Sequence, residues 1–324
     1  MPTPKFTERT VATNGVELNV VEAGTGPAVV LCHGFPELSY SWRHQIPTLA
    51  EAGYRVIAPD QRGYGKSSQP EAISDYDITH LTGDLIGLLD ALGEDKAVFV
   101  GHGWGSMVVW QMALLHPERM NAVVGMSVPY LHRGPMPPIQ MMRNVFGDNF
   151  FYILYFQEPG VAEAELGRDA ATTMRKLLAG AIVREGELPD PSNFANDGRG
   201  FAERMPEPEK LPDWLSQEEL DHYATEFSRT GFRGGVNWYR NMDRNWELTE
   251  AVGDNKVQMP SLFIGGKLDP VLVMTPPDMG VEWLSDHRGT VIIDGAGHWV
   301  QQEKPDEVNA ALIGFLDDVC RDKG

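Results

Sequence analysis

Short segments of this 324-residue chain place chemistry-bearing residues directly after apolar runs. The first is Val100-Gly101-His102-Gly103-Trp104-Gly105-Ser106. A strand ends there in a tight, glycine-flanked turn and a helix begins. This is the pattern of a nucleophile elbow, whose central residue is lifted above the sheet on a strained backbone. The central residue is Gly103, so the position has no side chain with which to attack. Alone, the segment equally fits a plain Gly-rich turn, because a lone Gly-rich motif has little specificity. The second segment, His33-Gly34-Phe35-Pro36, follows the apolar run Ala28 to Leu31. The amides of Phe35 and Trp104 would converge on one oxygen there. Two such donors stabilise a developing oxyanion, each typically worth ~10²–10³ in rate. Without the elbow it would read as an ordinary turn closed by proline.

The third segment, Gly265-Gly266-Lys267-Leu268-Asp269-Pro270, offers Asp269 as an orienting carboxylate, or as a common Asp-Pro turn residue. The fourth, Asp294-Gly295-Ala296-Gly297-His298-Trp299, offers His298 as a general base. Asp294 is a rival acid, better suited to the turn before Gly295. Elbow, Asp269 and His298 occur in the order nucleophile, acid, histidine after successive strands. That joint placement is what an acyl-ester triad on a parallel sheet requires, and it outweighs coincidence.

These residues need a frame. Ala28 to Leu31, Arg55 to Ala58, Ala97 to Val100, Ala122 to Met126, Ser261 to Ile264 and Thr290 to Ile293 are short apolar, β-branched runs. Continuous runs of this kind are expected of strands buried on both faces. Val16 to Val20 alternates apolar and polar after Asn14-Gly15, a hairpin signal. Helical periodicity fills Thr79 to Leu92, Ser106 to His116 and Pro305 to Val319. The alternation predicts an α/β fold, with a mostly parallel central sheet and helices on both faces. It stops near Tyr130 and resumes near Met259. The interval, rich in Tyr, Trp and Met, is expected to be an inserted helical cap. The expected division is 1–132 and 255–324 for the core and 133–254 for the cap. The cap should lie over the carboxyl edge of the sheet, where ligands bind in open α/β folds.

At these residues the chain resembles the epoxide hydrolases of the α/β-hydrolase superfamily. The resemblance runs nearly end to end. It is carried by His33-Gly34-Phe35-Pro36-Glu37, Ser41-Trp42-Arg43-His44-Gln45, Asp60-Gln61-Arg62-Gly63-Tyr64-Gly65 and Gly295-Ala296-Gly297-His298-Trp299. The most specific parts lie in the interval: Tyr152-Ile153-Leu154-Tyr155-Phe156-Gln157-Glu158-Pro159-Gly160 and Asn237-Trp238-Tyr239-Arg240-Asn241-Met242. The resemblance implies that Asp269 and His298 form the charge-relay pair and that Tyr152 and Tyr239 hydrogen-bond the epoxide oxygen. Tyr155, beside Tyr152, is the other candidate for the first tyrosine. Phe35, Trp104, Tyr155 and Trp299 are the expected substrate contacts.

The family places aspartate between histidine and tryptophan in the elbow, where this chain has Gly103. An epoxide presents an sp³ carbon to backside attack, and a carboxylate can displace the ring oxygen to form an ester. Water then cleaves the ester, with His298 as base and the Phe35 and Trp104 amides on the oxyanion. A tyrosine with an ordinary pKa of ~10 can protonate the departing alkoxide. No neighbour replaces the missing group: Ser106 lies on the helix behind the elbow and His102 should point away from the pocket. Losing a nucleophile costs on the order of 10⁶-fold in turnover. The chain as written therefore reads as an epoxide hydrolase severely impaired at its nucleophile. Deliberate disabling of the enzyme and natural change both fit, and the intact remainder favours the first. The alternatives are a pseudoenzyme that binds a small apolar ligand, and a dehalogenase-like hydrolase. The last would need halide donors rather than two ring-opening tyrosines.

Bulk properties limit the partners. Apolar residues make up 42%, with 8 Trp, 9 Tyr and 13 Phe, enough for a sizeable core. The net charge of -19 repels phosphate, which argues against nucleic acid, and offers no basic patch to an anionic membrane. Cys32 and Cys320 form neither a disulfide framework nor a metal motif. The start, Met1 to Lys5, lacks the apolar stretch of a secretory signal, and no run reaches the ~18 apolar residues of a membrane span. The expectation is a cytoplasmic enzyme without metal or cofactor, taking a small apolar epoxide and water.

Overall fold

The computed structural model describes residues 6–180 and 191–321. The segment Met1 to Lys5, residues 181–190 of the expected cap and the last three residues lie outside them. Eight strands build one sheet: β1 (Thr7–Thr13), β2 (Val16–Ala23), β3 (Ala28–Cys32), β4 (Arg55–Pro59), β5 (Ala97–His102), β6 (Met120–Met126), β7 (Val257–Gly266) and β8 (Leu284–Ile293). Their order is β1-β2-β4-β3-β5-β6-β7-β8. β2 is antiparallel to both of its neighbours, and β3 to β8 pair in parallel. The hairpin signal is realised, with Asn14 at φ 46° and Gly15 at φ 78° in the turn between β1 and β2.

Successive side chains of a strand point to opposite faces, and the burial shows it. Val29, Leu31, Val98 and Val100 pack in one cluster with Ile46 and Leu49 of helix α1 (Gln45–Glu51). Val30, Phe99 and Val123 pack in the other with Leu81, Leu85 and Leu88 of α2 (Ile78–Leu92) and with Val108 and Met112 of α3 (Trp104–Leu115). Both faces are therefore covered, which is why these strands read as unbroken apolar runs. α2 starts where the Asp77 carboxylate caps the Thr79 and His80 amides, and it stops at Gly93 in the left-handed conformation.

Between β6 and β7 the chain leaves the sheet. It forms α4 (Pro138–Phe146), α5 (Tyr152–Tyr155), α6 (Val161–Leu166), α7 (Ala170–Ala179), α8 (Gln217–Thr230), α9 (Arg233–Arg240) and α10 (Met242–Leu248). The interval expected to be a cap is thus helical among the described residues. It is fastened by buried polar links: Trp238 Nε1 donates to the Arg62 carbonyl at 3.2 Å, and the Ser41 and Tyr223 hydroxyls meet at 2.7 Å. α11 (Pro270–Met274) follows β7. α12 (Val300–Glu303) and α13 (Pro305–Arg321) follow β8, and Leu312 and Leu316 of α13 close the cluster on the α1 face. No helix among the described residues is long and apolar enough to cross a membrane.

β3 sits between β4 and β5, so the chain turns one way after β3 and the other way after β5. The crevice at such a reversal, above the carboxyl ends of the strands, is where open α/β sheets bind ligands. The loops that leave it are those of His33-Gly34-Phe35 and Gly103.

Candidate active site

Gly103 links β5 to α3 with φ 56° and ψ -120°. Side-chain-bearing residues adopt that conformation only under strain. The flanking glycines are there for room: a Cβ on Gly101 would lie 2.2 Å from the Gly105 carbonyl, and one on Gly105 2.0 Å from that of Cys32. A Cβ on Gly34 would lie 3.1 Å from the Trp104 amide, so the loop after β3 approaches the start of α3 closely. The amides of Phe35 and Trp104 have no acceptor among the described residues. The Trp104 amide is the first of α3, a position with no intrahelical acceptor.

A Cβ built on Gly103 meets no atom closer than His298 Nε2 at 3.6 Å and Gly34 Cα at 3.7 Å. A Cβ there would sit in ordinary van der Waals contact, against the histidine. On the other side of that ring, Nδ1 lies 3.1 and 3.0 Å from the two oxygens of Asp269. Asp269 is buried, and its Oδ1 also accepts the Val271 amide at 2.9 Å as the cap of α11. An ionised carboxylate accepts from Nδ1–H, which leaves Nε2 as the lone-pair nitrogen toward Gly103. Burial pushes the His298 pKa down, but the charge and hydrogen bond of Asp269, with Glu37 and Glu303 behind, outweigh it, and the net is upward. Asp294 takes no part: 86% exposed, it pairs with Lys267 on the surface.

The loop that carries His298 is fixed by groups that sequence reasoning missed. Glu303 accepts the Gly297 and Trp299 amides, each at 2.8 Å. The His298 carbonyl accepts from His102 Nε2 at 2.7 Å and from the Ser127 hydroxyl at 2.8 Å. Ser127, just past β6, holds φ 62° to reach it. His102 Nδ1 meets fully buried Glu37 at 2.6 Å, while Gln301 and Gln302 donate to the other oxygen of Glu37. Burial alone would raise the Glu37 pKa, but the His102 contacts and the Gly34 amide bring it down to about 2. His102 thus points away from the pocket, as expected, and underpins the loop. Ser106 points away too, donating to the Val128 carbonyl at 2.6 Å.

From the helices between β6 and β7, Tyr239 of α9 stands edge-on to Trp104 at 5.2 Å and to Phe35 at 5.5 Å, between ring centroids. Tyr152, first residue of α5, meets Tyr239 edge to face at 5.9 Å. Burial raises both phenols, Tyr152 to about 12 with help from the Asp269 charge, and Tyr239 well above its usual value. Both are therefore neutral proton donors throughout the physiological range. Phe156 and Phe201 complete the aromatic wall. Tyr155 is not brought to this point. Its ring packs on Phe150 at 5.4 Å, and burial, with the nearby Glu165 charge, pushes its phenol up to about 12. Trp299 is buried against the His298 ring at 4.9 Å, with Nε1 donating to the Leu177 carbonyl at 3.3 Å. The two rings meet edge to face. No group of three or more His, Cys, Asp or Glu is arranged for a metal ion among the described residues.

The elbow geometry has a cost that can be measured. Gly103→Asp is expected to lower folding stability by about 1–3 kcal/mol, for a side chain at positive φ. The greater folding entropy loss of glycine opposes this by only ~0.5–1 kcal/mol. The check is the urea midpoint at unchanged slope. An equal or higher midpoint would contradict the strain argument.

A parallel sheet, an elbow at its switch point, an adjacent acid–histidine pair and a helical insertion define an α/β hydrolase. Residues 27–305 match the family described as alpha/beta hydrolase fold. Epoxide hydrolase A of Mycobacterium tuberculosis is 58% identical over 312 residues, covering 96% of this chain and 97% of that protein. Epoxide hydrolase 1 of Siraitia grosvenorii is 42% identical over 325 residues, covering 96% and 98%. The crystal structure of epoxide hydrolase A from Mycobacterium thermoresistibile superimposes with a TM-score of 0.92 at 58% identity, covering 96% of this chain and 98% of that one. The chain belongs to the epoxide hydrolases of the α/β-hydrolase superfamily.

Proposed function

We propose that this site opens epoxides toward vicinal diols and that, with glycine at residue 103, it binds the epoxide without turning it over efficiently. The observation that carries this reading is that a Cβ on Gly103 would lie 3.6 Å from His298 Nε2 without a clash, in a site otherwise furnished for ester chemistry. In this reading residues 133–254 are the cap, and 1–132 with 255–324 are the catalytic core. Tyr152 and Tyr239 donate to the ring oxygen. The Phe35 and Trp104 amides are set for the oxyanion of ester hydrolysis, and His298, oriented by Asp269, is the base for water. Phe35, Trp104 and Trp299 shape the apolar walls.

Glycine at residue 103 leaves the aromatic walls and the tyrosine hydroxyls in place, so binding of a neutral epoxide should survive. Calorimetry with an aryl epoxide is expected to show saturable heat, with the epoxide recovered intact. No heat with this chain, beside clear binding of a neutral amide inhibitor by Gly103→Asp, would contradict the reading.

The raised pKa of His298 sets the pH dependence. The base is the neutral imidazole, so turnover by Gly103→Asp should rise with pH, through a midpoint above the ordinary value of 6.5. Asp269→Asn should lower that midpoint. By linkage, a raised folded pKa contributes stability below pH ~6.5 and loses it as pH rises through the folded value. A midpoint below 6.5 would contradict the assigned balance of burial and charge.

A further inference from the structure

We infer that the space above Gly103 is a site for a small free carboxylate, with formate the best fit, and that formate bound there attacks the epoxide in place of the missing side chain. The inference rests on the reading of the site given above. The space is bounded by groups suited to such an anion. The Phe35 and Trp104 amides have no protein acceptor, and the Trp104 amide opens a 12-residue helix whose dipole favours negative charge. His298 Nε2 lies 3.6 Å from a Cβ placed on Gly103, and buried Tyr239 stands edge-on to the Trp104 ring beside it. The absent side chain would have filled the space with a carboxylate, and formate is that group with hydrogen in place of the tether. Acetate carries a methyl group, which must stand off the Gly103 Cα and push the carboxylate outward.

The chemistry balances. A formate oxygen attacks one epoxide carbon from the back and forms a C–O bond. The ring C–O bond breaks, its electron pair goes to the ring oxygen, and Tyr152 or Tyr239 supplies the proton and recovers one from solvent. The product is a 2-hydroxyalkyl formate, whose carbonyl lies against the Phe35 and Trp104 amides. His298 takes a proton from water, and the hydroxide adds to the formyl carbon. Collapse expels the diol oxygen, which takes the proton back from His298. Formate is released as the anion and its proton passes to solvent. The net reaction is epoxide plus water to diol, with formate regenerated.

A tethered nucleophile has an effective concentration of ~10⁵–10⁸ M, so against a loss of ~10⁶ molar formate can restore at most about tenfold over the formate-free rate, at the lower end of that range. The experiment incubates the chain as it stands with styrene oxide and sodium formate, at ionic strength held constant with sodium chloride. Gly103→Asp without formate runs in parallel. The expected result is a saturable, formate-dependent rate that acetate matches poorly. With ¹⁸O-labelled formate each diol should carry one label, because the bond made by formate survives ester hydrolysis. His298→Gln should stop at the hydroxyalkyl formate ester. No formate dependence, or a formate-dependent rate that leaves the diol unlabelled, while Gly103→Asp is active, overturns the inference and leaves the site reading standing. Inactivity of Gly103→Asp on every epoxide overturns the reading itself.

Discussion

Gly103→Asp is expected to raise diol formation by about 10⁶-fold, the cost of losing a nucleophile in a comparable covalent mechanism. The size follows from what is already in place. A carboxylate side chain on residue 103 would start in ordinary contact, its Cβ 3.6 Å from His298 Nε2 and 3.7 Å from Gly34 Cα, so its first atom displaces no neighbour. Two amides and the N-terminus of α3 favour its anionic form. The tyrosines that would protonate the departing oxygen are held neutral by burial. Product formation from an aryl epoxide, followed by chromatography for both proteins, checks this. A gain of less than tenfold would mean that a second part of the machinery is also missing.

The next largest effect concerns the second step. In the Gly103→Asp background, His298→Gln should still open the ring once but should not release the diol. Without its base the ester is stranded, and steady turnover falls by a factor comparable to that for removing a triad histidine, ~10⁶. Rapid quench should show one equivalent of epoxide consumed per enzyme, with a matching mass increase on the protein. Continued turnover would assign the base elsewhere. Loss of the first equivalent as well would place His298 in ring opening. Glutamine is chosen because His298 is partly buried in a tightly braced loop, where a smaller residue would leave a cavity.

The parts of this account that were legible in the sequence share a local cause. Runs such as Ala97 to Val100 are buried on both faces of a parallel sheet, so their composition alone announces them. The elbow, Asp269 and His298 sit at strand ends, where order in the chain maps to position above the sheet. β1 was announced only by its Asn14-Gly15 turn. Thr7 to Thr10 are exposed on an edge strand and carry no apolar pattern. The start of β8 at Leu284 was hidden because Leu284 to Gly289 is mostly polar; the strand is only partly buried along its length, with Ile293 buried at its end.

What the sequence did not disclose is mostly non-local. Glu37 meets His102 across 65 residues, Ser127 meets the His298 carbonyl across 171, and no spacing rule links such pairs. Glu37 did stand inside a motif already singled out, and a carboxylate beside a tight apolar turn was the available signal. Glu303, five residues past His298, clamps the loop amides through a turn that only coordinates reveal. Tyr152 and Tyr155 both lie on α5, and which one reaches Tyr239 depends on how that short helix seats, with Tyr152 on Phe201 and Tyr155 on Phe150.

The central claim is that residue 103 is the point of covalent attack and that Gly103 leaves it vacant in an otherwise working site. Oxygen tracing in Gly103→Asp tests it most directly. After one turnover in ¹⁸O-water, the account predicts unlabelled oxygen in the diol and ¹⁸O in the peptide that carries residue 103, because water attacks the ester carbonyl and not the epoxide. Label in the first-turnover diol, with none in that peptide, would contradict it.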